Sequence, residues 1–144
     1  MAHGKVLALH LKPAVGQIRP VGTLKAIAGE GFEGDRCRNS KSRQALFVGH
    51  ETLEAFGFEP GTLREQITVE LPGLQTLPIG SRVKVGDVEF EITADCTPCA
   101  KMAGYLGKDP EDFKQSISLR RGMLANVLTD GTIRVGDEVT VNRA

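Results

Sequence analysis

Apolar and polar residues alternate in short runs along most of this chain, and a two-residue period is typical of β-strands. Glycine, proline and aspartate separate the runs, as they do where turns connect strands. The pattern predicts strands at residues 5–11, 23–28, 44–48, 63–71, 82–85, 88–92, 133–135 and 138–141.

Short Gly and Asp pairs predict tight connections between some of these strands. Gly86-Asp87 separates two alternating runs, which is typical of a two-residue β-hairpin turn. The same arrangement recurs at Gly136-Asp137, and Asp130-Gly131 is a further hairpin signal. We therefore expect both Gly-Asp pairs to lie in β-ribbons of one barrel.

Two short segments have helical character instead. Residues 50–56 are good helix formers with Leu53 and Phe56 one turn apart, and Gly57 ends the segment. A second helix is predicted to begin at Asp109 as N-cap, with Pro110 in the first turn.

Together these elements predict a mainly β domain, a closed or nearly closed β-barrel with one to three short helices. A chain of 144 residues is long enough to bury one core, and no shift in composition divides it. We expect a single domain over residues 1–144, with its core at about 5–141.

Charge and composition argue against two classes of partner. Lys and Arg number 18 and Asp and Glu also number 18, so no overall field attracts nucleic acid or an anionic membrane. Aromatic residues make up 5% of the chain, too few for an interleaved nucleic-acid surface. The apolar run at residues 6–11 is too short to span a membrane. We therefore expect neither nucleic acid nor a membrane as partner.

The cysteines provide the strongest candidate chemistry. Their odd count of three indicates no disulfide framework, so a reducing cytoplasm is expected. Cys96 and Cys99 form a Cys-x-x-Cys pair directly after a predicted strand, where unpaired N–H groups and Lys101 favour a thiolate. Cys96 is either a resolving thiol for Cys99 or a buried neighbour. Cys37 is interpreted as a buried apolar or loop residue.

Zinc is a weaker alternative, because a second Cys-x-x-Cys or a His-x-x-x-His pair is missing. A zinc site would have to combine the three cysteines with one histidine, chosen from His3, His10 and His50.

Residues 29–43 form a glycine-rich and then basic stretch. Glycine exposes backbone N–H groups, and guanidinium forks suit phosphate, so the stretch has the parts of an anion site. The alternative is a solvated loop whose glycines serve only turns. The positive charges lie at Arg36, Arg38, Lys41 and Arg43.

The order of five motifs resembles the MOSC domain, named after the C-terminus of molybdenum cofactor sulfurase, over about residues 5–141. The motifs are Gly31-Phe32-Glu33-Gly34-Asp35-Arg36, Arg43-Gln44, Leu63-Arg64-Glu65-Gln66-Ile67, Cys96-Thr97-Pro98-Cys99 and Gly131-Thr132-Ile133-Arg134-Val135-Gly136-Asp137.

The resemblance implies a barrel like the small barrel domain of pyruvate kinase. It also implies that Cys99 ligates the molybdenum of the pterin cofactor, molybdopterin, or carries sulfur delivered by a pyridoxal-phosphate-dependent partner domain. Arg64 and Gln66 would contact the cofactor, and Thr97 would line the site. The family often has Asn at the position of Gln66, and its larger cofactor-binding members carry an additional N-terminal barrel.

Two hypotheses about function follow from the resemblance. In the first, the chain binds molybdenum cofactor or carries sulfur as a persulfide on Cys99 for cofactor maturation, with a cysteine desulfurase-type donor as partner. In the second, it is a small molybdenum-dependent reductase of N-hydroxylated compounds that works with an electron-donor protein. Metal content distinguishes a molybdenum enzyme from a metal-free sulfur carrier; the oligomeric state stays open. The candidate catalytic residues are Cys99 and Cys96, the metal ligand is Cys99, and the cofactor-binding residues are Asp35, Arg36, Arg64, Gln66 and Thr97.

Overall fold

The computed structural model describes residues 3–96 and 121–144. Cys99, Thr97 and the helix predicted from Asp109 lie outside these described residues. The elements are β1 His3–Leu11, β2 Arg19–Val21, β3 Thr23–Ile27, β4 Gly31–Phe32, β5 Ala45–Gly49, α1 His50–Phe56, β6 Ile67–Glu70, β7 Arg82–Val85, β8 Val88–Asp95, β9 Met123–Val127, β10 Gly131–Arg134 and β11 Glu138–Asn142, with one 3-10 turn at Leu74–Thr76.

Seven strands close into a barrel in the order β1-β11-β7-β8-β9-β5-β6, with β6 returning to β1. All neighbours are antiparallel except β5 and β6, which run parallel. The first strand closes the ring, because His3–Lys5 pairs with β11 and the stretch from Lys5 to Leu9 pairs with β6. The predicted mainly β, closed barrel is confirmed.

The barrel core follows from the alternation of the strands. In β7 and β8, Val83, Val85 and Phe90 are buried, whereas their neighbour Lys84 faces solvent. Phe90 lies at the centre, edge-on to Phe47 with ring centroids 5.2 Å apart. Each large apolar side chain buried in this way contributes about 1.5–3 kcal/mol to folding, so this face of the sheet fixes the register of its strands.

A second sheet of three strands, in the order β10-β3-β4, packs beside the barrel. The hairpin predicted at Gly86-Asp87 is confirmed by the pairing of β7 with β8. The hairpins predicted at Gly136-Asp137 and Asp130-Gly131 are wrong, because β10 pairs with β3 and not with β9 or β11. At both turns the chain changes sheets: Gly136 N–H donates to Val6 O at 2.9 Å, and Asp130 Oδ1 accepts from Ala28 N–H at 2.7 Å.

The predicted helix at residues 50–56 is confirmed as α1. It ends at Phe56, and Gly57 caps it: this glycine has a positive φ of 69°, and its N–H donates to Glu54 O. Leu53 packs into a second apolar cluster outside the barrel core. The other buried members of this cluster are Leu46, Val48, Leu63, Cys96 and Leu124.

The strand predicted at residues 63–71 is shorter than expected, because β6 is confined to Ile67–Glu70. Arg64 has a φ of 65°, in the left-handed region, which a strand cannot contain. The part before Ile67 is therefore a turn, and it carries two of the predicted site residues, Arg64 and Gln66.

Within residues 3–96 and 121–144, no helix is long and apolar enough to cross a membrane.

Candidate functional site

A cavity of about 400 Å³ opens between the basic loop, the turn before β6 and the ends of β8 and β9. Cys37 forms part of its wall, and Cys96, Leu46 and Leu124 add an apolar side. None of the described residues that line it is an Asp or Glu. Five of them carry positive charge: Lys12, Arg36, Arg43, Arg64 and Arg121.

The structure brings some of the predicted site residues together and leaves others elsewhere. Four of them line the cavity: Arg36, Arg64, Gln66 and Cys96. Asp35 does not line it, and Cys99 and Thr97 lie outside the described residues.

Asp35 organises the wall of the cavity from behind. Its Oδ1 accepts from the backbone N–H of Lys12 at 2.9 Å, and its Oδ2 accepts from Cys37 N–H at 3.0 Å. Arg36 N–H donates to Lys12 O at 2.7 Å, which ties the basic loop to the end of β1 a second time. A buried carboxylate with several N–H donors is well satisfied, so Asp35 holds the loop in place.

Gln66 is 1% exposed and its amide is also committed to the protein. Its Oε1 accepts from Leu46 N–H at 2.9 Å, and its Nε2 donates to Asp35 Oδ2 at 3.1 Å. The side chain therefore joins β5, the turn before β6 and the basic loop at the cavity wall.

Lys12 is the most unusual cation of the site, since it is only 7% exposed. Burial lowers the pKa of its ammonium; Cys37 and Asp35 raise the pKa, and Arg36 and Arg64 lower it further. Within residues 3–96 and 121–144, no ion pair or side-chain hydrogen bond engages this ammonium. Burying a charge is costly unless an opposite charge compensates it, so an anion in the cavity would relieve that cost.

The basic loop divides its charges between the cavity and the surface. Arg36 and Arg43 line the cavity, whereas Arg38 makes a two-nitrogen contact with Glu30 Oε1 at 3.0 and 2.8 Å. The loop is anchored by Gln44, whose Nε2 donates to Gly29 O and Ser40 O. The alternative of a purely solvated loop therefore does not describe it.

The described residues that flank positions 97–120 in the sequence lie at the cavity. Cys96 and Arg121 both line it, and Cys96 N–H donates to Gly122 O at 2.9 Å. Gln75 holds the same point, because its Oε1 accepts from Gly122 N–H at 3.0 Å and its Nε2 contacts Asp95 Oδ1. Burial raises the pKa of Asp95, and the bond from Gln75 opposes that shift.

Sequence patterns missed three residues that line the cavity: Lys12, Cys37 and Arg121. Lys12 follows an apolar strand and precedes Pro13, where a lysine is usually exposed. Cys37 stands beside Arg36 in the predicted anion loop, which is the signal that could have found it.

The zinc alternative gains no support from the described part of the chain. No group of three or more His, Cys, Asp and Glu side chains could hold a metal ion within residues 3–96 and 121–144. A site that includes Cys99 is outside that range.

Fold and cavity together define a small barrel protein with a cationic, thiol-bearing site, and the comparisons assign its family. The MOSC domain family model matches residues 35–140, so the chain belongs to the MOSC domain family.

Several solved structures share the fold, among them the following three. The YuaD protein of Bacillus subtilis has a TM-score of 0.83 at 20% identity, covering 100% of both chains. YiiM of Geobacillus stearothermophilus has a TM-score of 0.71 at 17% identity, covering 96% of this chain and 75% of that one. YiiM of Escherichia coli has a TM-score of 0.74 at 15% identity, covering 97% and 70%. At such identities the likeness shows the fold alone. A search of curated proteins gave no significant match.

Proposed function

We propose that this MOSC-domain protein binds molybdenum cofactor in the cationic cavity and uses Cys99 as its functional thiol, either to ligate the metal or to carry sulfur as a persulfide. The proposal rests chiefly on one observation. Lys12 is buried at the cavity, and within residues 3–96 and 121–144 it has no ion pair; arginines surround it, and none of the described lining residues is a carboxylate.

Phosphate is the anion that suits this arrangement best. Arginine presents two parallel N–H donors to a phosphate, and lysine adds a point charge. Lys12, Arg36 and Arg64 are the residues that we expect to hold the phosphate end of the cofactor. Gln66, whose amide bonds to Asp35 and Leu46 N–H, is expected to support the wall rather than to change partners.

The rest of the cavity also fits a pterin cofactor. Its volume of about 400 Å³ lies within the range of small-molecule sites, about 300–1,000 Å³. Leu46, Leu124 and Cys96 supply an apolar side for a ring system. When bound, the cofactor would supply redox chemistry at its molybdenum, and thiolate sulfur is a suitable ligand for such a metal.

The assignment of Cys99 is supported by its place in the chain. Cys99 follows Cys96 by three positions in the sequence, and Cys96 and Arg121, the described residues on either side of 97–120, both line the cavity. As a carrier, the Cys99 thiolate would attack the outer sulfur of a donor persulfide, whose S–S bond breaks and whose own thiolate leaves. The donor would be a cysteine desulfurase-type protein of the reducing cytoplasm.

The test is intact-mass and metal analysis of the protein, purified without oxidant from a host that makes molybdopterin. Stoichiometric molybdenum and pterin would support cofactor binding, and N-hydroxylated compounds would then be assayed with an electron-donor protein. A metal-free protein that gains one sulfur from a cysteine desulfurase would support the carrier role. If neither loads, the proposed function is wrong.

A matched pair of variants tests the thiol assignment. Cys99→Ser should abolish loading of molybdenum or sulfur, whereas Cys96→Ser should retain much of it. Equal loss in both variants, or in neither, would contradict the assignment of Cys99.

A further inference from the structure

Glu65 is completely buried although it lies in sequence between two residues of the cavity wall, Arg64 and Gln66. Its own carboxylate does not line the cavity. Instead, Oε2 accepts from Gly61 N–H at 3.1 Å and from the Thr68 hydroxyl at 2.8 Å. The carboxylate thereby ties the start of the turn to the middle of β6.

The turn held in this way has an unfavourable backbone. Arg64 has a φ of 65°, a backbone conformation that residues other than glycine seldom adopt. Arg64 N–H donates to Gly61 O at 2.9 Å, and Gly61 itself has a φ of 90°. Such a conformation persists where its surroundings fix it, and it often accompanies a functional role.

His10 completes the packing around the turn. It is 7% exposed, and its Nε2 would lie 2.6 Å from a Cβ added at Gly61, so the imidazole covers the turn directly. Among the described residues, His10 Nδ1 and Glu65 Oε1 are both buried without a hydrogen-bond partner. A buried carboxylate is costly, and its position here is not explained by the barrel core alone.

We propose that Glu65, packed beside His10, is a positioning residue that fixes the Gly61–Glu65 turn and so presents the Arg64 guanidinium to an anion in the cavity. The Arg64 side chain lines the cavity and its Nη2 also donates to Gln17 O at 3.2 Å. This inference rests on the proposed function in taking the cavity as an anion site, and it assigns Glu65 no contact with the ligand.

A double-mutant cycle tests it, with inorganic pyrophosphate as the probe and calorimetry at fixed ionic strength as the measurement. Arg64→Ala should weaken pyrophosphate binding by about tenfold or more, the usual effect of losing a charged hydrogen bond. Glu65→Met, which removes the oxygen that accepts from Gly61 N–H and the Thr68 hydroxyl, should weaken it several-fold by itself. In the double variant the loss should equal that of Arg64→Ala alone, because Glu65 acts through Arg64. Additive losses would overturn the proposal, since a general structural defect would weaken both proteins alike.

Thr68 offers a milder second perturbation. Thr68→Val removes the hydroxyl that Glu65 Oε2 accepts from, while Thr68→Ser keeps it. We expect weaker pyrophosphate binding in the valine variant and near-normal binding in the serine variant. Equal binding by the two variants would contradict a role for this bond.

Amide hydrogen exchange without ligand separates the inference from the proposed function. If Glu65 fixes the turn, Glu65→Met should speed exchange at the amides of Gly61 and Arg64, with the β7–β8 amides unchanged. Unchanged exchange at both amides would overturn the positioning role, whatever the cavity binds. Faster exchange in a protein whose wild type does not bind pyrophosphate would support the positioning role and refute the anion site.

Discussion

Replacing Lys12 by methionine should raise stability and lower anion affinity at the same time. The substitution keeps an unbranched side chain of similar size and removes only the charge. Lys12 is 7% exposed, and within the described residues no ion pair holds its ammonium. The two effects differ because the Lys12 charge destabilises the folded protein without a bound anion but stabilises the complex with one.

The size of each effect follows from the surroundings of Lys12. Asp35 attracts the ammonium while Arg36 and Arg64 repel it, so their contributions partly cancel and the desolvation of the charge, which is the largest effect, remains. Apolar replacement of buried charged groups is often stabilising, and we expect Lys12→Met to raise the free energy of unfolding by about 1–2 kcal/mol. Loss of a charged contact to phosphate should cost about 1.5–3 kcal/mol, or roughly ten- to a hundredfold in the Kd for pyrophosphate.

The stability gain should depend on pH in a defined direction. Burial holds the pKa of Lys12 in the folded protein below its ordinary value of 10.5, so the unfolded chain binds the proton more tightly. The buried ammonium destabilises the folded protein to its full extent below the folded-state pKa of Lys12. This destabilisation decreases as the pH rises from that pKa toward 10.5. The advantage of Lys12→Met should therefore be largest near neutral pH and shrink in alkaline solution.

Urea denaturation at neutral and alkaline pH measures the stability, and calorimetry with pyrophosphate measures the affinity. Lys25→Met is a matched control, because Lys25 lies at the surface within 4.0 Å of Glu33 and is expected to change neither quantity much. A Lys12→Met protein that is less stable than wild type, or that binds pyrophosphate equally well, would show that this ammonium is not held for an anion.

Two further predictions concern the turn and the wall that surround the cavity. Gln66→Leu should lower the free energy of unfolding by about 2–4 kcal/mol, because Leu46 N–H and the Asp35 carboxylate each lose a buried hydrogen-bond partner. Urea denaturation measures this loss, and a value below about 1 kcal/mol would contradict the importance of these bonds. Gly61→Ala should be more destabilising than Gly16→Ala. Both glycines have a positive φ, but only a Cβ at Gly61 would collide with His10. Equal losses of melting temperature in the two variants would mean that the imidazole moves aside freely.

Local sequence patterns predicted the strands better than their partners. Alternation placed β7 and β8 and the turn at Gly86-Asp87, because adjacent strands joined by two residues have little choice but to pair. The similar pair Gly136-Asp137 shows only that the chain turns. The strand before it instead pairs with β3, a distant segment that local sequence cannot indicate.

The candidate site was predictable where motifs carried it and not where burial defined it. The basic loop and the Leu63–Ile67 motif indicated Arg36, Arg64 and Gln66, which line the same cavity. Alternation through Arg64 looked like a strand, because the buried contacts of Glu65 that hold the turn come from the fold. Lys12 was missed for a similar reason: its desolvation depends on the loop that Asp35 folds over it. The role of Cys99 stays a prediction.

Closure of the barrel by its first and last described strands sets an order in time for folding. One edge of β1 pairs with β11, which lies far along the sequence, so this edge of His3–Lys5 stays unpaired until β11 has formed and reached it. Contacts of such long sequence separation slow folding. Until then β1 exposes a strand edge on which another unfolded chain could pair, and Lys5, which is exposed within this strand, is the kind of charge that discourages such pairing.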